Sequence, residues 1–450
     1  MIVHPIDYRY GTEEMKRIWS EESRIKRMIR VEIALLKALA KLGYLSEDSV
    51  RRTAEKARKI TPERVKEIEA EIKHDVMALV RAIAEVAEDD RWIHFGATSN
   101  DIIDTAVATQ LRDSIKILEI KLAKLALKLA EKAEKYRDLV CLGRTHGQAA
   151  LPTTYGFRFA LWASEVKRHL ERLEEMKKRI LVGQMSGAVG TQAAFGKEGL
   201  KIEEEVMRLL NLKPAEISSQ VIPRDIYCEY VSFLAIVAAT LEKIATNIRL
   251  LQRAETAEVF ERFEKEKQVG SSTMPHKRNP IDSEQICGLA RVIRGFVEPQ
   301  YQSSILWEER DLTNSSAERI ILVEATVLLD HILTKTIKVV EELGIDEKAV
   351  RENLERQRGL NMSEAVMIAL TKKGMSRQQA HELLRKLSMK AYEEDKHLKE
   401  VLLEDETIRR FFSEEEIEEL IKPENYLGTA LERIDRVVES VKDFAKKYFE

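Results

Sequence analysis

Cysteine is scarce, and its placement excludes a disulfide framework. Cys141, Cys228 and Cys287 are the only three in 450 residues, and they lie far apart. An odd, dispersed set without metal-ligand spacing reads as reduced thiols in a cytoplasmic protein. An excess of one charge is also missing. The 74 Lys and Arg nearly balance the 77 Asp and Glu, and the formal net charge of -3 argues against a general nucleic-acid binder. Any anion site must therefore be a local cluster of cations. No apolar run approaches the length of a membrane span, so no membrane association is expected. The first residues, MIVHPIDYRYGTEEM, lack the apolar stretch of a signal peptide. No HExxH pattern and no Cys/His pair with zinc spacing is present, so no metal site is predicted. The glycine-rich stretch 183–199 is followed by no GK[ST] and preceded by no strand, which excludes a P-loop or dinucleotide fingerprint. No GxSxG elbow supports a serine hydrolase.

Proline is rare as well, and its absence organises the chain. Nine prolines leave long stretches rich in helix formers. In one of these, Leu111, Ile115, Leu118, Leu122, Leu125, Leu129 and Ala133 step by four and three, which predicts a coiled-coil-like seam. Further seams run from Phe159 through Val166 to Met176, from Ile226 through Val237 to Leu251, and from Ile321 through Ile332 to Leu343. No comparable stretch alternates with period two, so no large sheet is expected. The length suggests about three domains. The fold predicted is all-α: an N-terminal helical domain over 1–100, a central long-helix bundle over 101–352, and a C-terminal helical domain over 353–450. Some apolar faces are broad enough to pack against partner subunits. Thr61-Pro62 reads as an N-cap followed by proline at the first helical position.

Polar clusters interrupt this pattern. They are Lys73-His74-Asp75, the run from His94 through Thr98 and Ser99 to Asp101, Gly143-Arg144-Thr145-His146-Gly147-Gln148, and GSSTMPHKRNP at 270–280. The last places hydroxyls just before Pro275 and cations and an amide between Pro275 and Pro280, and the two prolines rule out an uninterrupted helix. Its charged approach, Glu258 to Lys267, suggests a solvated, mobile segment. Such a loop can meet an anion and move protons. Each cluster also has a plain reading. Thr98 or Ser99 can simply cap a helix beginning near Asp101, and His74 can be an ordinary partly buried histidine. His146 sits between glycines, where a backbone can approach a ligand. His169, His331, His381 and His397 fall within helical stretches and read as structural.

GSSTMPHKRNP resembles the signature of the fumarase/aspartase superfamily, whose members eliminate fumarate or a related anion from a substituted succinate. The other clusters occur in that superfamily's order. Together with Arg9-Tyr10 and the stretch Glu309-Arg310-Asp311 to Ser315-Ser316-Ala317-Glu318-Arg319, they are most similar to the adenylosuccinate lyase family. The alternatives are another fumarate-releasing lyase, a carboxymuconate-type cycloisomerase, or a non-catalytic protein retaining the fold. The resemblance implies fumarate elimination from adenylosuccinate, giving AMP, and from succinyl-aminoimidazole-carboxamide ribotide in purine biosynthesis. It implies Ser271 as general base and His146 as general acid. Lys277, Asn279, Thr98 and Ser99 would bind the succinyl carboxylates, with Ser272 and Thr145 as further substrate contacts. Arg9, Tyr10, Arg310, Ser315 and Arg319 would hold the phosphate and nearby groups. His74 and His94 would support phosphate or carboxylate binding and orient His146, Lys73 and Asp75 would be further substrate-binding residues, and Gln220 would meet the purine side. The family also implies a cytoplasmic homotetramer with active sites shared between subunits, and no cofactor.

Overall fold

The computed structural model describes residues 3–262 and 277–449. Four long helices carry the predicted seams: α1 Ser99–Lys135, α2 Tyr155–Ile180, α3 Asp225–Leu251 and α4 Thr313–Glu342. The side chains of the first seam, from Leu111 to Ala133, are all buried, as are Phe159, Val166 and Met176 of the second. The 4-3 spacing places these residues on one helix face, and burying that face is what stabilises a helix of this length. The described strands form only two-stranded sheets, so the expected absence of a large sheet holds for these residues.

The chain divides into two compact units. The first comprises 1–121, 169–241 and 288–334. One of its cores gathers Ile25, Leu35 and Leu39 of the helix Glu21–Lys41 with Val76, Leu79, Ile102 and Val206. Thr61 caps the helix Pro62–Ile72 through its side chain, with proline at the helix start, as the sequence predicts. The second unit comprises 122–168, 242–287 and 335–450. One of its cores is C-terminal and gathers Val366, Leu370, Leu384, Leu398 and Ile417.

One break takes a definite form, and one expectation needs correction. The break around His146 is a β-hairpin, with β1 Val140–Thr145 antiparallel to β2 Gln148–Thr154. Val140, Cys141 and Leu142 are buried, which favours an extended segment over a solvated loop. Also, α3 is long and apolar enough to cross a membrane by length and composition. In its most apolar window 61% of residues are buried, as in a core helix.

Candidate active site

In the first unit a cavity of about 530 Å³ opens among Asp75, Asn100, Asp104, Arg224, Arg310, Ser315, Glu318 and Arg319, with Trp19, Arg24 and Tyr227. That volume falls in the range of small-molecule sites, about 300–1,000 Å³. Four of the sequence-predicted residues therefore share one cavity: Asp75, Arg310, Ser315 and Arg319.

The local fold explains how they meet. Lys73 ends the helix Pro62–Ile72 in the left-handed region, at φ 57°. The chain turns there, and His74 caps the next helix, its Nδ1 accepting from the Met77 N–H at 3.2 Å. Asp75 follows at the first helical position and accepts from Arg319 Nη2 at 3.0 Å. Arg319 and Ser315 are one turn apart on α4 and share a face.

The charges are unevenly matched. Arg224, 4% exposed, donates to both oxygens of Asp104 at 2.8 and 3.0 Å. Its Nε lies 3.3 Å from Glu318. Glu318 also accepts from Asn314 Nδ2 at 2.9 Å. Burial pushes its carboxyl up to about 7 despite the pull of Arg224. Arg310 differs. Its Nη1 donates to the neutral oxygens of Asn100 and Gln220, its Nε is buried with no hydrogen bond, and no described residue forms an ion pair with it. Burial therefore lowers its tendency to hold a proton, and an anion beside it would restore the balance.

The other predicted residues of this unit lie outside the cavity lining. Arg9 is exposed. Tyr10 packs its ring 5.5 Å from that of His331. His94 has φ 59°, and its Nδ1 pairs with the buried Glu32 at 2.7 Å. Burial opposes protonation of His94, but Glu32 outweighs it and the net shift is upward. Thr98 stands just before α1, and its N–H donates to Asp101 at 2.8 Å. Ser99 is the first residue of α1. Gln220 donates to the Ala188 carbonyl at 2.9 Å.

In the second unit, Thr145 pairs with Gln148 at the end of the hairpin, leaving His146-Gly147 as a two-residue loop. Both loop residues have positive φ, 55° and 76°, as a type I′ turn requires. Residues 145–148 are exposed. Lys277 is exposed, and Asn279 precedes the helix Ile281–Gly295, its carbonyl accepting from the Ile281 N–H at 2.9 Å. Ser271, Ser272 and residues 263–267 of the charged segment lie outside the described residues, and the start of that segment is not solvated as expected: Glu258 and Val259 are buried.

Sequence reasoning passed over Asp104, Arg224 and Glu318 as site residues. A signal existed for each. Asp104 lies one turn into α1 among apolar residues, Arg224 follows Gln220 in SSQVIPRD, and Glu318 sits within the run ending at Arg319.

Comparison with known proteins adds identity to this geometry. Residues 7–295 match the lyase family model, and residues 359–437 match a second model described as adenylosuccinate lyase C-terminus. The chain is 71% identical to adenylosuccinate lyase of Archaeoglobus fulgidus over 446 residues, covering 99% of this chain and 100% of the other. It is 53% identical to adenylosuccinate lyase of Methanocaldococcus jannaschii over 452 residues, covering 100% and 97%. Among solved structures, the 3-carboxy-cis,cis-muconate lactonizing enzyme from Pseudomonas putida matches with a TM-score of 0.88 at 32% identity, covering 98% of this chain and 99% of that one. The chain therefore belongs to the adenylosuccinate lyase family of the fumarase/aspartase superfamily, and its activity is that of a lyase acting on adenylosuccinate, a small anionic nucleotide.

Proposed function

We propose that this chain eliminates fumarate from adenylosuccinate, and from succinyl-aminoimidazole-carboxamide ribotide, with Ser271 as base and His146 as acid. The observation that carries the binding half of this reading is Arg310. A partly buried guanidinium with neutral hydrogen-bond partners and no ion pair is poised for an anionic ligand. Arg319 and Ser315, at the same cavity, add a second cation and a hydroxyl.

The chemistry follows from the bond to be broken. The C–H bond lies next to a carboxylate, so its electrons pass into an aci-carboxylate. Cations and N–H donors aimed at those oxygens lower that barrier. Lys277, Asn279, Thr98 and Ser99 take this role, with Ser272 and Thr145 as further contacts. Ser271 removes the proton. A free hydroxyl is a weak base, so neighbouring cations or backbone N–H groups must stabilise its oxyanion. The C–N bond then breaks, and His146 gives its proton to the leaving nitrogen. Arg9 and Tyr10 hold the phosphate side, His74 and His94 support the phosphate or carboxylates and orient His146, Lys73 and Asp75 are further substrate-binding residues, and Gln220 meets the purine side. No step is assigned to a metal or an organic cofactor.

The cavity supports sharing of sites between chains. Its described lining carries Glu21, Glu69, Asp75, Asp104 and Glu318 beside four arginines. One cavity of this charge does not by itself neutralise a phosphate and two carboxylates. Further cations must come from elsewhere, and the reading takes them from partner chains of a cytoplasmic homotetramer. Ile120, Ile236 and Ile320 of the first unit and Leu161 of the second are exposed apolar residues of the four long helices, as residues awaiting partner subunits would be. The segments 1–100, 101–352 and 353–450 are the three domains of that assembly.

Subunit mixing tests these assignments together. Ser271→Ala and His146→Ala should each be inactive while still binding AMP. After verified exchange of subunits, the mixture should regain part of the activity, because some sites then hold both groups. No recovery would place both residues in one chain. Near-normal activity of Ser271→Ala with an inactive Ser272→Ala would move the base by one residue.

A further inference from the structure

Glu258 is fully buried, yet nothing in the reaction described above uses it. Its Oε1 accepts from Arg144 Nη2 at 2.6 Å and from Asn353 Nδ2 at 3.0 Å. Its Oε2 accepts from the Tyr155 hydroxyl at 2.5 Å and lies 3.5 Å from Arg158 Nη1. Arg158 Nη2 in turn donates to the Leu142 carbonyl of β1 at 2.7 Å. One carboxylate thus reaches both ends of the hairpin. Arg144 is on β1 just before the turn, and Tyr155 immediately follows β2.

The backbone is anchored in the same place. The Glu258 carbonyl accepts from the Asp346 N–H at 2.9 Å, and Asn353 Nδ2 also donates to the Thr256 carbonyl at 2.7 Å. The register shifts between Leu142 and Arg144, so the ladder alone does not hold this part of the hairpin in a regular pairing. Beyond that irregularity come Thr145 and the His146-Gly147 loop. A non-glycine residue at positive φ persists only where its surroundings hold it there. The described residues offer His146 no hydrogen bond, so the hold must come from the strands beneath it.

We propose that Glu258 is a positioning residue for His146: it clamps Arg144 and Tyr155 at the two ends of the hairpin and so fixes where the imidazole stands. The proposal rests on the reading of His146 as the general acid. Among the described residues, Arg144 and Cys141 from β1, and Tyr155 and Arg158 from α2, are ionisable groups that face Glu258. Burial raises the Glu258 carboxyl, but Arg144, Tyr155 and Arg158 outweigh it and hold the carboxyl below its ordinary range, so the clamp stays ionised at neutral pH. Glu258 also cancels the charge of Arg144, two residues from His146.

Glu258→Gln keeps the shape and removes the charge. In the full-length enzyme with adenylosuccinate, kcat should fall roughly tenfold to a hundredfold, as expected for a misplaced acid, with KM changed less than about twofold. The alkaline limb of the pH–kcat profile should move to lower pH, because an uncancelled guanidinium near His146 disfavours its protonated form. Glu258→Gln combined with Arg144→Gln should return that limb toward the wild-type position while kcat stays low. A purely structural role would not move the limb and then restore it. Should Glu258→Gln fail to fold, Tyr155→Phe removes one hydrogen bond only, and a severalfold loss of kcat at unchanged KM is expected. His146→Gln separates the two layers. If it is inactive while a folded Glu258→Gln keeps the wild-type kcat and pH profile, or Tyr155→Phe keeps the wild-type kcat, the positioning role is overturned and the acid assignment stands. If His146→Gln is itself active, the acid assignment falls and the positioning role with it.

Discussion

At the scale of single residues, the cavity in the first unit is decided by which charges are already paired. Arg224 serves Asp104 and Glu318, whereas Arg310 has only neutral partners. Mutating the two arginines should therefore have different consequences, one for the fold and one for the ligand. Glu318 makes a testable statement of its own. Its carboxyl holds a proton up to about pH 7, well above the ordinary value of 4.5, because burial penalises the charged form. The folded state then binds more protons than the unfolded state between those two values. The stability Glu318 contributes is complete below its unfolded value and is lost as pH rises through about 7. Glu318→Gln keeps hydrogen-bonding capacity without an ionisation. Relative to the wild type it should be more stable at about pH 8 than at about pH 5, by up to roughly 3 kcal/mol. Urea unfolding at the two pH values measures this, and a pH-independent difference would contradict it.

At the scale of elements, the long helices were legible because their apolar residues recur every three and four positions, and little else satisfies such a pattern. Capping was legible too, at Thr61-Pro62. The hairpin carrying His146 was not. Its two short strands lie between long helices, and His-Gly is a less familiar two-residue turn than Asn-Gly. The start of α1 shows how an element end can hold a distant loop. The Asp101 carboxylate accepts from the N–H groups of Thr98, Ser186 and Gly187 at 2.8, 2.9 and 3.0 Å, and from Gln184 Nε2 at 3.1 Å. It thus fixes the glycine-rich stretch against the helix N-terminus. Asp101→Ala would leave these buried donors without their acceptor. It should destabilise the protein by about 3 kcal/mol or more in urea unfolding. A loss below about 1 kcal/mol would mean that other acceptors replace Asp101.

At the scale of the whole molecule, the sequence singled out four residues that share a cavity but not how the charges there pair. Asp75, Arg310, Ser315 and Arg319, far apart in the chain, line one cavity. His146 and Lys277 belong to the other compact unit. Motif order could name these residues, since each cluster sits at a helix end or break. It could not say which would be mutually paired, because Asp104, Arg224 and Glu318 are far apart in the chain and only the fold brings their charges together. The fold is likewise shared with proteins of other named activity, as the match at a TM-score of 0.88 to a muconate lactonizing enzyme makes plain. Activity is therefore settled by substrate, not by architecture. The most direct measurement is the loss of absorbance as the purified protein converts adenylosuccinate, run beside argininosuccinate, malate and aspartate. The account predicts saturable turnover of adenylosuccinate with AMP and fumarate formed in equal amounts, and no turnover of the other three. Turnover of one of those three with adenylosuccinate untouched would contradict it.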